Sequence, residues 1–344
     1  MRINPRRTDA SPPEPAAGTE ADSAPGRRRT RRRKGLRILA MAALLAVGLG
    51  LVSTVANLLL ERQERASITP YGERIEIAGG AVNVYRNGQP GQPIVLLSGL
   101  GTAAPALDFA PLIRELGDYS VTVVEGFGYG YSDMSASERS NKNISTELHE
   151  VLKKLNIPQP YILAGHSIAG FYMLDYTNRY PAEVAAVIGI DVTVPKATSG
   201  PVEVQSGGID VLRLLAVTGV VRAALAVAPG LGEPGGDAHT PEERERIRLM
   251  TIWNFSSPAV ADETARIGNN ASDLRGISYP DGLPVLAFVA DAGSTEAAGK
   301  AESLENLLKN VQRHEIVPLT GGHYLHWTQS KPMAEAIRTF LATR

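Results

Sequence analysis

Apolar positions along the chain follow two different patterns. From Ile38 to Leu60 they run together without a single charge, as ILAMAALLAVGLGLVSTVANLLL. A helix crosses the hydrocarbon of a bilayer in about 20 residues, so this run predicts a transmembrane helix over 38–60, closed by Glu61 and Arg62. Buried core helices seldom avoid charge for so long. From about Tyr71 the apolar residues come instead in short runs separated by helical stretches. RIEIAGGAVNVYRNG (74–88) reads as two strands around a Gly-Gly turn. PIVLLSG (93–99), SVTVVEG (120–126), PYILAGHS (160–167) and EVAAVIGID (183–191) are continuous runs of the kind that fills a parallel sheet covered on both faces. Between them, 105–116 opens with Pro105 as a helix would, and 140–156 places Ile144, Leu148, Val151, Leu152 and Leu155 on one helical face.

After Asp191 the rhythm stops. Residues 195–280 hold apolar helical segments and loops with no clear strand. It resumes with LPVLAFVAD (283–291), a helix over 301–310, HEIVPL (314–319) and a last helix from about Pro332 to Leu341. Strands alternating with helices predict an α/β fold: a mostly parallel sheet flanked by helices, spanning 66–344. A late helical insertion sits over the C-terminal strand edges, where ligands bind, so about 195–280 is expected to be a cap.

Charge changes the picture only at the N-terminus. The net charge is −1, but residues 1–34 carry ten Arg or Lys against four acids, so the remainder is acidic. That balance offers nothing to a nucleic acid. Residues 1–37 form a disordered basic tail on composition, rich in Pro, Ala, Ser and charge. The basic run RRRTRRRK (27–34) should stay cytoplasmic and put everything after Leu60 beyond the membrane. A cleaved signal peptide is the alternative, with Thr54-Val55-Ala56 as its site, although the apolar run exceeds the usual 7–15 residues of such peptides. Thr30-Arg31-Arg32 lacks the apolar residues that follow a twin-arginine pair. The expectation is an uncleaved anchor. With no cysteine, disulfides, thiolate metal sites and a cysteine nucleophile are excluded.

One stretch carries chemistry. GHSIAG (165–170) stands between a predicted strand and a predicted helix, the setting of a nucleophile elbow. Gly165 and Ala169 supply the small residues such a sharp turn needs, and Ser167 is the candidate nucleophile. The N–H of Ile168 would face a substrate oxyanion at the start of the helix.

LLSGLGT, VVEGFGYGYSD, YILAGHSIAG, VIGIDVTVP and GGHYLHW, in that order over roughly 71–344, resemble the α/β-hydrolase superfamily. The resemblance implies a serine hydrolase, carboxylesterase-like, acting on a small-molecule ester or related acyl compound and needing no cofactor and no metal. It places the catalytic base at His323, after the last strand. His326 is the rival and is expected to pack behind it. His166 is expected to be a structural hydrogen-bonder, and His149, His239 and His314 have no motif context. A metal reading of Gly-His-Tyr-Leu-His lacks the acidic or further His partners that would complete a ligand set.

For the acid the commonest family arrangement selects Asp291, although the usual spacing falls slightly beyond it. Asp191 is the alternative, and Glu296 a further one. The second oxyanion donor implied is the N–H of Leu100, in a loop where many relatives carry His-Gly and this chain has Ser98-Gly99. Glu125 could hold a polar substrate group or cap the next turn; the second is favoured. Leu212, Leu214, Leu215, Val217, Trp253 and Phe255 are the candidate apolar lining of the cap. A carboxylate nucleophile, as haloalkane dehalogenation requires, is absent where Ser167 stands. A membrane-tethered binding module that kept the fold without catalysis is the rival function.

Overall fold

The computed structural model describes residues 25–195, 210–291 and 295–343. Its elements in chain order begin with α1 (Pro25–Ser67), β1 (Glu73–Ile77), β2 (Gly80–Arg86), β3 (Pro93–Leu97), α2 (Pro105–Asp108), α3 (Ala110–Glu115) and β4 (Ser120–Glu125). They continue with α4 (Asn141–Lys154), β5 (Tyr161–His166), α5 (Ala169–Arg179) and β6 (Val184–Ile190). Five helices follow: α6 (Val211–Val217), α7 (Val220–Val227), α8 (Pro241–Asn254), α9 (Pro258–Ala265) and α10 (Ile267–Asp273). The chain closes with β7 (Val285–Asp291), α11 (Thr295–Leu308), β8 (His314–Thr320), α12 (Leu325–Thr328) and α13 (Ser330–Ala342).

The eight strands form one sheet in the order β1-β2-β4-β3-β5-β6-β7-β8. The β1–β2 and β2–β4 pairs are antiparallel, and every later pair is parallel. Successive side chains of a strand point to opposite faces, and the core divides accordingly. Tyr161 and Leu163 of β5 join the layer containing Val151, Leu152 and Met173, whereas Ile162 and Ala164 join the layer containing Leu112, Met333 and Ile337. This is the sheet covered on both faces that the uninterrupted apolar runs anticipated.

Three boundaries differ from expectation. The helix expected over 105–116 breaks at Phe109, because Pro111 has no N–H to donate into the preceding turn and the helix restarts there. The helix expected at 301–310 starts earlier, at Thr295. At the N-terminus, α1 begins at Pro25, so 25–37 is helical where composition suggested a disordered tail. Arg and Lys are good helix formers, and a long apolar helix propagates readily into them. Residues 1–24 lie outside the described residues.

Two units meet inside α1, one ending at Val52 and the other beginning at Ser53. In the first, the side chains of residues 34–49 are exposed, and α1 is long and apolar enough to cross a membrane. In the second, residues 53–67 of α1 pack with the unit that holds the sheet. Asn57 is only 4 % exposed and sends its amide to the carbonyls of Ala216 and Val217, each at 3.3 Å. Glu64 receives Arg222 through both oxygens and the indole N–H of Trp253 at 2.9 Å.

The segment expected to be a cap holds α6 to α10 joined by loops, with no strand among its described residues; 196–209 lie outside them. Thr240 and Glu243 form a reciprocal capping box that starts α8, and Ser257 caps α9.

Candidate active site

Ser167 sits between the end of β5 and the start of α5 at φ +55°, in the left-handed region that non-glycine residues avoid. The turn is tight because Gly165 lacks a side chain: a Cβ there would stand 2.8 Å from that of Ala169. Ile168 is the N-cap of α5, ahead of the helix's first internal bonds. Ser167 Oγ–H donates to His323 Nε2 at 2.9 Å, and His323 Nδ1–H donates to Asp191 Oδ2 at 2.5 Å. The three groups come from the ends of β5, β6 and β8, brought together by the parallel order of the sheet.

The acid at the imidazole is therefore Asp191, not Asp291. Asp191 lies just past β6, where φ +44° turns the chain out of the sheet, and it is 3 % exposed. Asp291 is still in β7, exposed, and laddered against Thr320 of β8. Asp291 meets the loop carrying His323 through its main-chain oxygen, which accepts the N–H of Gly321 at 3.4 Å, while Nδ1 of His323 is occupied by Asp191. Glu296 opens α11, and its side chain lies outside the described set.

A cation also holds Asp191. Lys300 Nζ lies 2.7 Å from Oδ2 and donates to the main-chain oxygen of Asp191 at 3.0 Å. The N–H of Ala290 donates to Oδ1 at 3.0 Å. Burial pushes the carboxyl up, but the bonds from His323, Lys300 and Ala290, with the Lys300 charge, outweigh it and bring it down to about 2. Because the folded value lies below that of an unfolded aspartate, about 3.9, the stabilisation is present above that value and is lost as pH falls toward about 2. It amounts to about 2–3 kcal/mol. Lys300→Met is expected to cost about 1–2 kcal/mol at neutral pH, a charged hydrogen bond's worth. The difference from wild type should shrink between about pH 4 and 2, as read by urea unfolding at each pH.

Behind the imidazole lies a second arrangement, centred on the buried His326 and Asp108. His326 Nε2–H and the Trp327 indole N–H donate to the two oxygens of Asp108, at 2.7 and 2.8 Å. Despite burial, these partners hold the Asp108 carboxyl below its ordinary value. His326 is thus a packing residue that fixes the loop from which His323 projects, as its position suggested. His166 donates from Nε2 to the main-chain oxygen of His323 at 3.0 Å. Burial first, then the neighbouring His326, lowers its pKa to about 3, so the ring stays neutral and structural. Gly99 passes so close that a Cβ would meet His166 Nδ1 at 2.7 Å and Ser167 Cβ at 3.2 Å. That proximity sets the Leu100 segment beside the elbow.

Glu125 does not face a substrate. Fully buried, it accepts from Tyr71 Oη, Asn83 Nδ2 and the N–H groups of Ala106 and Tyr131, at 2.7, 2.8, 3.2 and 3.0 Å. It ties down the turn after β4, the favoured reading. Two contributors had no signal in the sequence. Lys300 belongs to an ordinary helix with no motif. Glu263 of α9 accepts from Tyr129 at 2.8 Å and Tyr172 at 2.5 Å, and Tyr129 in turn accepts the N–H of Gly101 at 3.3 Å. A cap carboxylate thereby positions the 98–102 loop. A cavity of about 410 Å³ runs between that loop and the cap, with Leu100, Gly101, Leu212 and Phe255 in its wall. Trp253 is instead buried beside α1, and Leu214 and Leu215 are exposed, so these three do not line it.

The family model described as alpha/beta hydrolase fold matches residues 92–330. The chain belongs to the alpha/beta hydrolase fold family. A relative in Bacillus subtilis strain 168, the uncharacterized protein YbdG, is 27% identical over 277 residues, covering 78% of this chain and 84% of that one. Lipase 1 of Psychrobacter immobilis is 29% identical over 136 residues, 37% of this chain and 42% of the lipase. Among solved structures, epoxide hydrolase A from Mycobacterium thermoresistibile superposes with a TM-score of 0.60 at 18% identity, covering 80% and 99% of the two chains, a likeness of fold. This alpha/beta hydrolase thus has hydrolytic relatives, and a hydrolytic function is the reading they support.

Proposed function

We propose that the protein is a serine hydrolase that cleaves esters or related acyl compounds through an acyl-enzyme on Ser167, and that 38–60 anchors it in a membrane. The observation that carries this reading is the unbroken relay from Ser167 Oγ through His323 to Asp191. His323 Nε2 takes the hydroxyl proton as Oγ attacks the acyl carbon. Asp191 keeps the proton of Nδ1 in place and stabilises the imidazolium. The N–H groups of Leu100 and Ile168 receive the negative oxygen. His323 then gives its proton to the leaving group, and water enters by the same steps in reverse.

Acyl transfer is preferred to epoxide opening on chemical grounds. Attack by Ser167 on an epoxide would leave an ether, which has no carbonyl for water to attack. Attack on an acyl carbonyl leaves an ester that water can release.

Basic residues before Ile38 favour a cytoplasmic N-terminus, which would place the catalytic unit beyond the membrane. The test uses the full chain in detergent. A fluorophosphonate probe should label it on Ser167, with Ser167→Ala unlabelled, and p-nitrophenyl esters of graded chain length should be turned over. Folded wild-type protein that takes no label would end the serine hydrolase reading.

A further inference from the structure

The hairpin α6–α7 has an outward surface unlike an ordinary cap. From Val211 to Leu231, every exposed position is Val, Leu, Ala, Pro or Gly. Val227 is 88% exposed, Leu231 77%, Val211 60% and Leu214 53%. The two charges in this stretch, Arg213 and Arg222, are turned inward. Arg213 donates to the Phe255 carbonyl at 3.2 Å, and Arg222 is held by Glu64 and Asn57. Contiguous exposed apolar surface of this kind marks an interaction site.

What covers it follows from where the hairpin's turn is fastened. Ser53 Oγ–H donates to the Thr218 carbonyl at 2.6 Å, and Asn57 to those of Ala216 and Val217. These are carbonyls of the last turn of α6, where Ala216 already accepts the N–H of Gly219 at 3.0 Å and α1 supplies the further donors that a helix end needs where water is scarce. Both donors belong to the uncharged run that ends at Leu60. Ser53 lies seven residues before that end, about 10 Å along a helix at 1.5 Å per residue. A bilayer that takes in the run as far as Leu60 therefore takes in the turn as well.

We propose that α6–α7 is a second membrane element, seated in the lipid beside the anchor, and that the cavity walled by Leu212 and Leu100 receives a lipophilic acyl substrate from the bilayer. The proposal rests on the anchored serine hydrolase reading. Its occupant is lipid and not a second copy, because the stretch of the uncharged run to which the hairpin is bonded, residues 53–60, also exposes Val55, Leu58 and Leu59.

The chain has no cysteine, so single cysteines can be introduced for labelling. Full-length Leu45→Cys, Val227→Cys, Leu231→Cys and Lys309→Cys would carry an environment-sensitive fluorophore in phosphatidylcholine vesicles containing doxyl lipid. Quenching is expected at 45, 227 and 231 and not at 309. Quenching at 45 alone would overturn the hairpin's insertion while leaving the anchor standing. No quenching at 45 would remove the anchor, and the inference with it. Cross-linking between copies through 227 or 231, without lipid quenching, would assign the face to a second copy and overturn it.

A double substitution, Val227→Glu with Leu231→Glu, tests the substrate route. Turnover of a short water-soluble ester should be unchanged. Turnover of a long-chain ester dissolved in the vesicles should fall at least about tenfold, as expected when two aliphatic side chains no longer enter lipid. Equal rates for wild type and variant on the vesicle substrate would overturn entry from the bilayer.

Discussion

Replacing Ser167 with Ala is expected to lower ester turnover by about 10⁶-fold, the loss typical of removing a nucleophile that works as a unit with its base. The elbow itself should survive. Ala has no more difficulty than Ser with φ +55°, and the hydroxyl's bond to His323 is at the protein surface rather than in the core. Far-UV circular dichroism and the urea midpoint should therefore match wild type. A residual rate about 10³-fold above water is expected from the oxyanion donors and binding alone. Wild-type turnover in the alanine variant would show that another group attacks the substrate.

Asp191→Asn is expected to reduce kcat about 10⁴-fold, while Asp291→Asn leaves it close to wild type. The amide nearly preserves the shape of the carboxylate but no longer requires Nδ1 of His323 to carry the proton. Nε2 then presents N–H to Ser167 instead of a lone pair, and the base is lost. The Lys300 ammonium makes the substitution costlier, since it is left facing an uncharged amide at 2.7 Å. A partial loss of stability is therefore expected alongside the kinetic effect, and saturating-substrate kinetics on folded protein separates the two. If Asp291→Asn were the inactive variant, His323 would have to be oriented from β7, against the geometry described above.

The difference between these aspartates shows what a one-dimensional reading could and could not supply. Ser167 and His323 were legible because each is marked by its immediate neighbours: small residues around the elbow, and a glycine pair before the histidine. The acid is marked by nothing local. Asp191 and Asp291 both end apolar strands, and only the lateral order of the sheet separates them. β6 and β7 align Ile190 with Phe288, so Asp291 lies three residues further along, still paired with Thr320. Lys300 and Glu263 were invisible for the same reason, being helix residues whose roles exist only once distant elements meet. The strands themselves were easy, since burial on both faces forces continuous apolar runs. The cap is legible as helical, but of its candidate lining leucines only Leu212 stands in the cavity wall, while Leu214 and Leu215 face outward. A helix that is apolar nearly all round does not announce which side faces inward.

The fastening of α1 to the cap also bears on modularity. Ser53, Asn57 and Glu64 serve two masters, belonging at once to the helix and to the packing of α6, α7 and α8. A junction drawn at Leu60, where the uncharged run stops, would sever the hairpin turn from its donors and leave Arg222 with half its partners. The N-terminal helix is accordingly no interchangeable handle. Grafting the sheet and cap onto a foreign N-terminal helix would succeed only if residues 53–67 travelled with them.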